Sequence, residues 1–163
     1  MQNLYHRISV RKYEDRDVEN EKLLEIIKAG MQAPSAANQQ PWEFYIVRDK
    51  DILKQLSQVS PYAGPAKNAP VAIVTTYRED VIMPQYAHID MANCVENMWL
   101  ATDDLGLGGV WLGICPEPDR MEKVEAILNI PKGQRAFAVF TLGYPAESRE
   151  QQNRFDETRI HGL

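Results

Sequence analysis

Apolar positions recur along the chain in two periods, and the switches between them set the predicted order of elements. Leu23, Leu24, Ile26, Ile27 and Met31 follow polar Asn20 at three- and four-residue spacings. This predicts an amphipathic helix over 20–32 with Asn20 as its capping residue, ended by Pro34. Ala33 to Pro41 (APSAANQQP) is uncharged and bounded by breakers, so it reads as a loop. Trp42 to Val47 alternates Trp42, Phe44 and Ile46 against Glu43, Tyr45 and Val47, the period of a strand. Ile52, Leu53, Leu56 and Val59 predict a short helix over Asp49 to Val59, with Asp49 as its cap. After the loop SPYAGPAKNAP comes Val71 to Thr76, an unbroken β-branched run that predicts a strand covered on both faces.

Residues 86–105 predict a long helix. Ala87, Met91, Cys94, Val95, Met98, Ala101 and Leu105 form one stripe, while Ile89, Ala92, Trp99 and Leu100 fall on other faces. A helix apolar around so much of its circumference is buried on most sides. Either its own sheet covers it, or a second copy of the chain does so in a homodimer. Gly109 to Ile114 predicts a strand, Pro118 to Leu128 a helix opened by proline, and Phe137 to Tyr144 the last strand. The remainder, 145–163, is polar and aperiodic, with Phe155 and Ile160 as apolar anchors among Arg149, Arg154 and Arg159. Such a tail is a disordered end or an arm laid on another surface, and the anchors tilt the reading toward the arm. No repeat or linker divides the chain, so 1–163 reads as one α/β or α+β domain.

Composition narrows the function. The 163 residues carry 18 Lys+Arg against 23 Asp+Glu, a formal charge of -5, which suits neither nucleic acid nor an anionic membrane surface as partner. No apolar run approaches the roughly 20 residues that span a bilayer. The start, MQNLYHRISVRKYEDR, lacks the apolar core of a signal peptide, so the expected location is the cytoplasm. Cys94 and Cys115 show neither zinc spacing nor a disulfide pattern and read as small buried hydrophobes.

Arg7, Ile8, Ser9, Val10 and Arg11 alternate cation, apolar, hydroxyl, apolar, cation. If extended, the segment turns Arg7, Ser9 and Arg11 to one face and Ile8 and Val10 to the core. Two guanidinium forks flanking a hydroxyl make a phosphate cradle; a charged, solvated strand edge is the plainer reading of the same spacing. The loop from Pro34 to Pro41 suits the edge of a flat heterocycle, or is an ordinary surface loop. Gly106, Gly108, Gly109 and Gly113 do not make a dinucleotide fingerprint, because Trp111 stands where the third glycine belongs and the segment follows a helix. Gly113 instead marks a close approach by backbone or ligand. His6, His88 and His161 have no partner pattern, so no side chain is given a catalytic role and no metal site is expected. Chemistry then comes from a cofactor.

R-x-S-x-R, APSAANQQPW, VAIV, LGLGGVWLG and LGYPAE, in this order over nearly the whole chain, resemble the FMN-dependent nitroreductase family. The resemblance implies an α+β fold: a three-layer sandwich with a central mixed, mostly antiparallel sheet flanked by helices, in an intertwined homodimer whose 145–163 arm packs on the partner subunit. It implies that Arg7, Ser9 and Arg11 bind the FMN phosphate, with Arg154 the best C-terminal match and Arg149 the second. Pro34, Ser35, Ala36 and Asn38 then lie along the isoalloxazine, with Leu112 and Gly113 bringing backbone near its hydride-accepting nitrogen. The implied activity is hydride transfer from NADH or NADPH through FMN to a nitroaromatic, quinone or similar flat acceptor. Alternatives are a same-fold FMN enzyme with another reaction, such as dehalogenation or desaturation, and a flavin-binding or ligand-sensing module without catalysis. Ile8 departs from relatives that commonly carry a second arginine there.

Overall fold

A computed structural model describes residues 2–148 and 150–162. Four strands form one sheet in the order β1-β2-β4-β3, where β1 is Trp42–Val47, β2 Val71–Arg78, β3 Gly108–Gly113 and β4 Gln134–Gly143. Each neighbouring pair is antiparallel. Among the described residues the one parallel link is the bridge between Ser9 and Gly109, so the mixed character of the sheet rests on the extended N-terminal segment. A bulge at Thr75/Thr76 shifts the register of β2 on β4.

Five helices accompany the sheet among the described residues: α1 (Gln2–His6), α2 (Asn20–Met31), α3 (Lys50–Leu56), α4 (Ala87–Asp104) and α5 (Pro118–Leu128). Helix α4 packs on β2, β3 and β4 and also on α2 and α1. Helices α3 and α5 touch each other, and α5 rests on β4. Every residue of β2 from Val71 to Tyr77 is buried, which requires cover on both faces and so makes three layers. Alternation is weaker in β1, where Ile46 is exposed; it is an edge strand with a neighbour on one side only. The α+β sandwich expected from the sequence is the fold observed. No helix among the described residues is long and apolar enough to cross a membrane.

Local chemistry explains the boundaries. Asp49 caps α3 by accepting from Asp51 N at 2.9 Å and Ile52 N at 3.0 Å. Asn20 does not cap α2: Glu19 holds the cap position without a side-chain bond, and Asn20 Oδ1 accepts from Arg48 at 3.0 Å. On α2 only part of the expected stripe is covered, with Leu23 and Ile26 buried but Leu24 54% exposed. On α4 the stripe of Met91, Cys94, Val95 and Met98 is fully buried, whereas Ile89 is 57% exposed. The chain's own sheet and α2 therefore cover this stripe of α4, and apolar residues remain open elsewhere. Helix α1 was not signalled, because five residues hold too few turns for a period to show.

Two glycines of β3 are required by packing. A Cβ at Gly108 would lie 2.5 Å from Val10 Cγ2, and one at Gly109 would lie 2.7 Å from Phe140 Cζ and 2.9 Å from Thr141 O. A Cβ at Gly113 would meet nothing within 4 Å. Gly109→Ala should therefore lower stability by about 1–3 kcal/mol through overpacking, and Gly113→Ala should leave it within about 0.5 kcal/mol; denaturant titration of the two variants checks this. Burial also pushes the Cys94 thiol and the Tyr77 hydroxyl up to about 12 each. The unfolded chain loses these protons first, from 9.0 and 10.0 upward. Stability should hold below about pH 9 and fall as pH climbs toward 12, which a melting-temperature series across that range reads.

Candidate functional site

The N-terminal segment is tied to β3 by the bond from Val10 N to Gly109 O at 3.0 Å. Val10 is buried as expected. Ile8 is not: it is half-buried and faces the same cleft as Arg7, Ser9 and Arg11. The reason is local, since α1 ends at His6 and the only strand-type bridge from residues 7–11 is that of Ser9 to Gly109. Strict alternation is therefore lost on the α1 side. The cleft has a volume of about 750 Å³, and residues 150–155 form its other wall, bringing Arg154 and Phe155 to the N-terminal cations. Arg149, the second C-terminal candidate, lies outside the described residues.

The three guanidinium groups differ in their surroundings. Arg7 is only 13% exposed, its Cζ lies 4.0 Å above the ring of Trp99, and its Nε is 3.7 Å from Glu96 on α4. Such stacking holds a cation in place while leaving its in-plane N–H groups able to donate. Arg11 Nη1 donates to Ser9 O at 3.3 Å, and Arg154 Nη2 to Gln152 Oε1 at 3.0 Å. Among the described residues neither of these two is in a carboxylate ion pair. Glu150 also borders the cleft, the one acid in its wall among the described residues.

The loop 33–41 folds by a different device. Ala37, Asn38 and Gln40 have φ of 49°, 53° and 47°, a region that non-glycine residues enter only when their surroundings hold them there. Asp90, 2% exposed near the start of α4, is that holder. Its Oδ1 accepts from Ala36 N at 2.9 Å and its Oδ2 from Gln39 Nε2 at 2.5 Å. Gln39 in turn grips Met83, accepting from its N at 2.8 Å and donating to its O at 3.1 Å. Ser35 Oγ accepts from Gln40 N at 3.0 Å, and Asn38 Oδ1 accepts from Gln40 Nε2 at 2.9 Å. Pro34 and Asn38 stay exposed, with Ser35 and Ala36 half-buried.

Leu112 is buried in β3, and Gly113 at the strand's end is exposed, its carbonyl accepting from Arg120 Nη1 at 3.3 Å. The expected close approach at Gly113 does not come from this chain, as the free space around it shows. The ten predicted residues thus fall into groups within one chain. Arg7, Ser9, Arg11 and Arg154 share the large cleft. Asn38 opens instead on a shallower hollow of about 500 Å³ with Gln39, Trp42, Glu43 and Arg78, and Pro34, Ser35, Ala36, Leu112 and Gly113 border neither. Asp90, Gln39, Glu96 and Trp99 were missed by sequence reasoning. Asp90 had one signal: an acid at a position of α4 where the helical period calls for an apolar side chain.

The sequence pattern of the nitroreductase family matches residues 4–61 and 59–144. The chain belongs to this family. A protein of Methanothermobacter thermautotrophicus, provisionally named NADH dehydrogenase/NAD(P)H nitroreductase, is 39% identical over 95% of this chain and 82% of its own length. A crystal structure of a provisional NADH oxidase from Clostridium acetobutylicum superimposes with a TM-score of 0.95 at 39% identity, covering 98% of this chain and 97% of the other. An FMN-dependent nitroreductase from Clostridium difficile R20291 does so with a TM-score of 0.92 at 30% identity, covering 98% and 96%. Oxidoreductase names recur among these relatives of the nitroreductase chain. Within that fold, Asp90→Asn puts an amide against one of two donors. The variant should lose about 1–3 kcal/mol, and hydrogen exchange at the loop amides of Ala36 and Gln40 should quicken before that of the sheet does.

Proposed function

We propose that this nitroreductase is an FMN-dependent oxidoreductase that takes hydride from NADH or NADPH and passes it to nitroaromatic, quinone or similar flat acceptors. It works in the cytoplasm as an intertwined homodimer. What carries the reading is the gathering of Arg7, Ser9, Arg11 and Arg154 around one cleft in a chain of net charge -5. A protein with an excess of acid has no general reason to concentrate guanidinium groups, and a phosphate supplies a specific one. A relative from Desulfovibrio desulfuricans, 27% identical, has a structure in complex with FMN.

The residues present fit this cofactor. A volume of about 750 Å³ lies within the range of small-molecule sites. Arg11 and Arg154, whose guanidinium groups are in no carboxylate ion pair among the described residues, bind the phosphate with Ser9, while the backbone N of Arg11 donates to Glu147 at 2.7 Å; Arg7 adds a charge already oriented by Trp99. Pro34, Ser35, Ala36 and Asn38 line the ring, held rigid by Asp90 and Gln39. Gly113, with nothing near its Cα side, admits the ring edge to the backbone of Leu112 and Gly113. When bound, FMN supplies two-electron chemistry that none of these side chains has. The chain's own part is to bind, orient and present backbone donors.

The loop and the arginine cleft lie apart in one chain, so the dimer draws the cleft residues from one copy and the loop from the other. Exposed Leu24, Met31, Tyr86 and Ile89, with Phe155 and Ile160 of the 145–163 arm, are the apolar surface that a second copy covers. Arg11→Ala with Arg154→Ala removes two charge-assisted contacts and should weaken FMN binding by roughly a hundredfold or more, read by absorbance after dialysis. NADH or NADPH should bleach the flavin of the wild type, and a quinone or nitroaromatic should restore its colour. A doubly substituted protein that keeps its flavin through dialysis overturns the phosphate assignment.

A further inference from the structure

A second polar cluster lies just past the Gly113 end of β3, and none of its side chains is among those assigned to flavin binding. Cys115 follows this strand, and its Sγ lies 3.5 Å from His88 Nε2 near the start of α4. The same nitrogen is 2.9 Å from the hydroxyl of Tyr77 on β2, and the Tyr77 and His88 rings meet edge-on with centroids 5.0 Å apart. Arg135 of β4 acts on the thiol through space and is itself bound to Glu125 of α5, whose Oε1 accepts from Arg135 Nε at 2.9 Å. The charge of Glu79, just past β2, acts on Tyr77 and Arg135 as well.

The two cysteines differ sharply. Cys94 is fully buried under α2, where a Cβ at Gly30 would lie 3.1 Å from its Sγ. Cys115 is only half-buried. Burial pushes the Cys115 thiol up and Arg135 pulls it back only in part, so near neutral pH the sulfur keeps its proton and needs a base to become a nucleophile. His88 is the base within hydrogen-bond reach. With its ring proton on Nδ1, it offers the Nε2 lone pair to the thiol and to the Tyr77 hydroxyl, which compete for it.

We propose that Cys115 and His88 form a thiol–imidazole dyad that reacts with low-molecular-weight disulfides, making Cys115 the chain's site of mixed-disulfide formation. His88 Nε2 takes the thiol proton as Sγ attacks one sulfur of the small disulfide. The new Sγ–S bond forms, the original S–S bond breaks, and the departing thiolate takes the proton back from the imidazolium. Cys115 is oxidised and half of the small disulfide is reduced, with no further reactant.

The dyad stands independently of the flavin reading, because its product is read as a mass and not as turnover. Purified protein is incubated with oxidised glutathione, and intact-mass and peptide analysis follow the adduct against pH. The expected result is a single adduct on Cys115, none on Cys94 in the folded protein, and none in Cys115→Ser. His88→Gln should react about tenfold more slowly or worse near neutral pH, with the gap closing as rising pH ionises the thiol unaided, a convergence that mere disturbance of the fold does not give. Tyr77→Phe, which removes the competing hydroxyl and keeps the ring, should react at least as fast as the wild type. An adduct on Cys94, no adduct at all, or equal rates for His88→Gln and wild type across the pH range overturns the proposal.

Discussion

No side chain fits between Val10 and the backbone at Gly108, or between Phe140 and the backbone at Gly109, and the placing of the arginine segment depends on that exclusion. With the two positions bare, residues 8–10 come close enough for Val10 N to bond Gly109 O and for Ser9 to bridge the same residue. Once that contact is made, Arg7 stands over α4, where Trp99 and Glu96 receive it. Tyr13 then closes the segment onto β4, its hydroxyl 2.8 Å from Thr141 Oγ1 and donating to Val10 O at 2.9 Å, with burial pushing its ionisation up. A methyl group at Gly109 pushes on a fully buried phenylalanine and a backbone carbonyl, neither of which yields cheaply.

Helix α4 is the common support of both halves of the proposed site. Asp90 near its start orders the loop, and Glu96 and Trp99 further along orient Arg7. The two supports are separated by nine residues of one rigid helix, roughly 13 Å along its axis. Because the buried Met91, Cys94, Val95 and Met98 hold this helix against the sheet and α2 together, neither support can shift without the other. Pocket residues need this kind of second layer, since a loop holding three left-handed non-glycine residues keeps its shape only while something pays the conformational cost.

What could be read in the sequence follows from how local each cause is. Val71–Thr76 announced a doubly covered strand because its neighbours in sequence are also its neighbours in pattern. Asp49 announced a cap because the donors it satisfies lie two and three residues ahead. The grip of Asp90 on Ala36 and Gln39 joins positions more than fifty residues apart and leaves no period behind. Nor does any propensity place Ala37 at positive φ. The Arg7, Ser9 and Arg11 motif was visible in the sequence, whereas its meeting with Arg154 is a property of the folded chain. The exposure of Ile89 and Leu24 was hidden for a related reason: an amphipathic pattern records that a face is apolar and not which body covers it.

Gly109 and Gly113 sit in one short strand for opposite reasons, and the contrast separates folding from recognition. Gly109 lacks a side chain because this chain fills the space; Gly113 lacks one although nothing in this chain comes near it. Neither has the positive φ that would make glycine a backbone necessity. A bare position with free space around it gains nothing for stability, since an alanine there stiffens the unfolded chain and costs the folded one no clash. Space left free at the end of β3 is open to a body outside the chain, and a flat ring pressed against backbone is the body that the proposed function supplies.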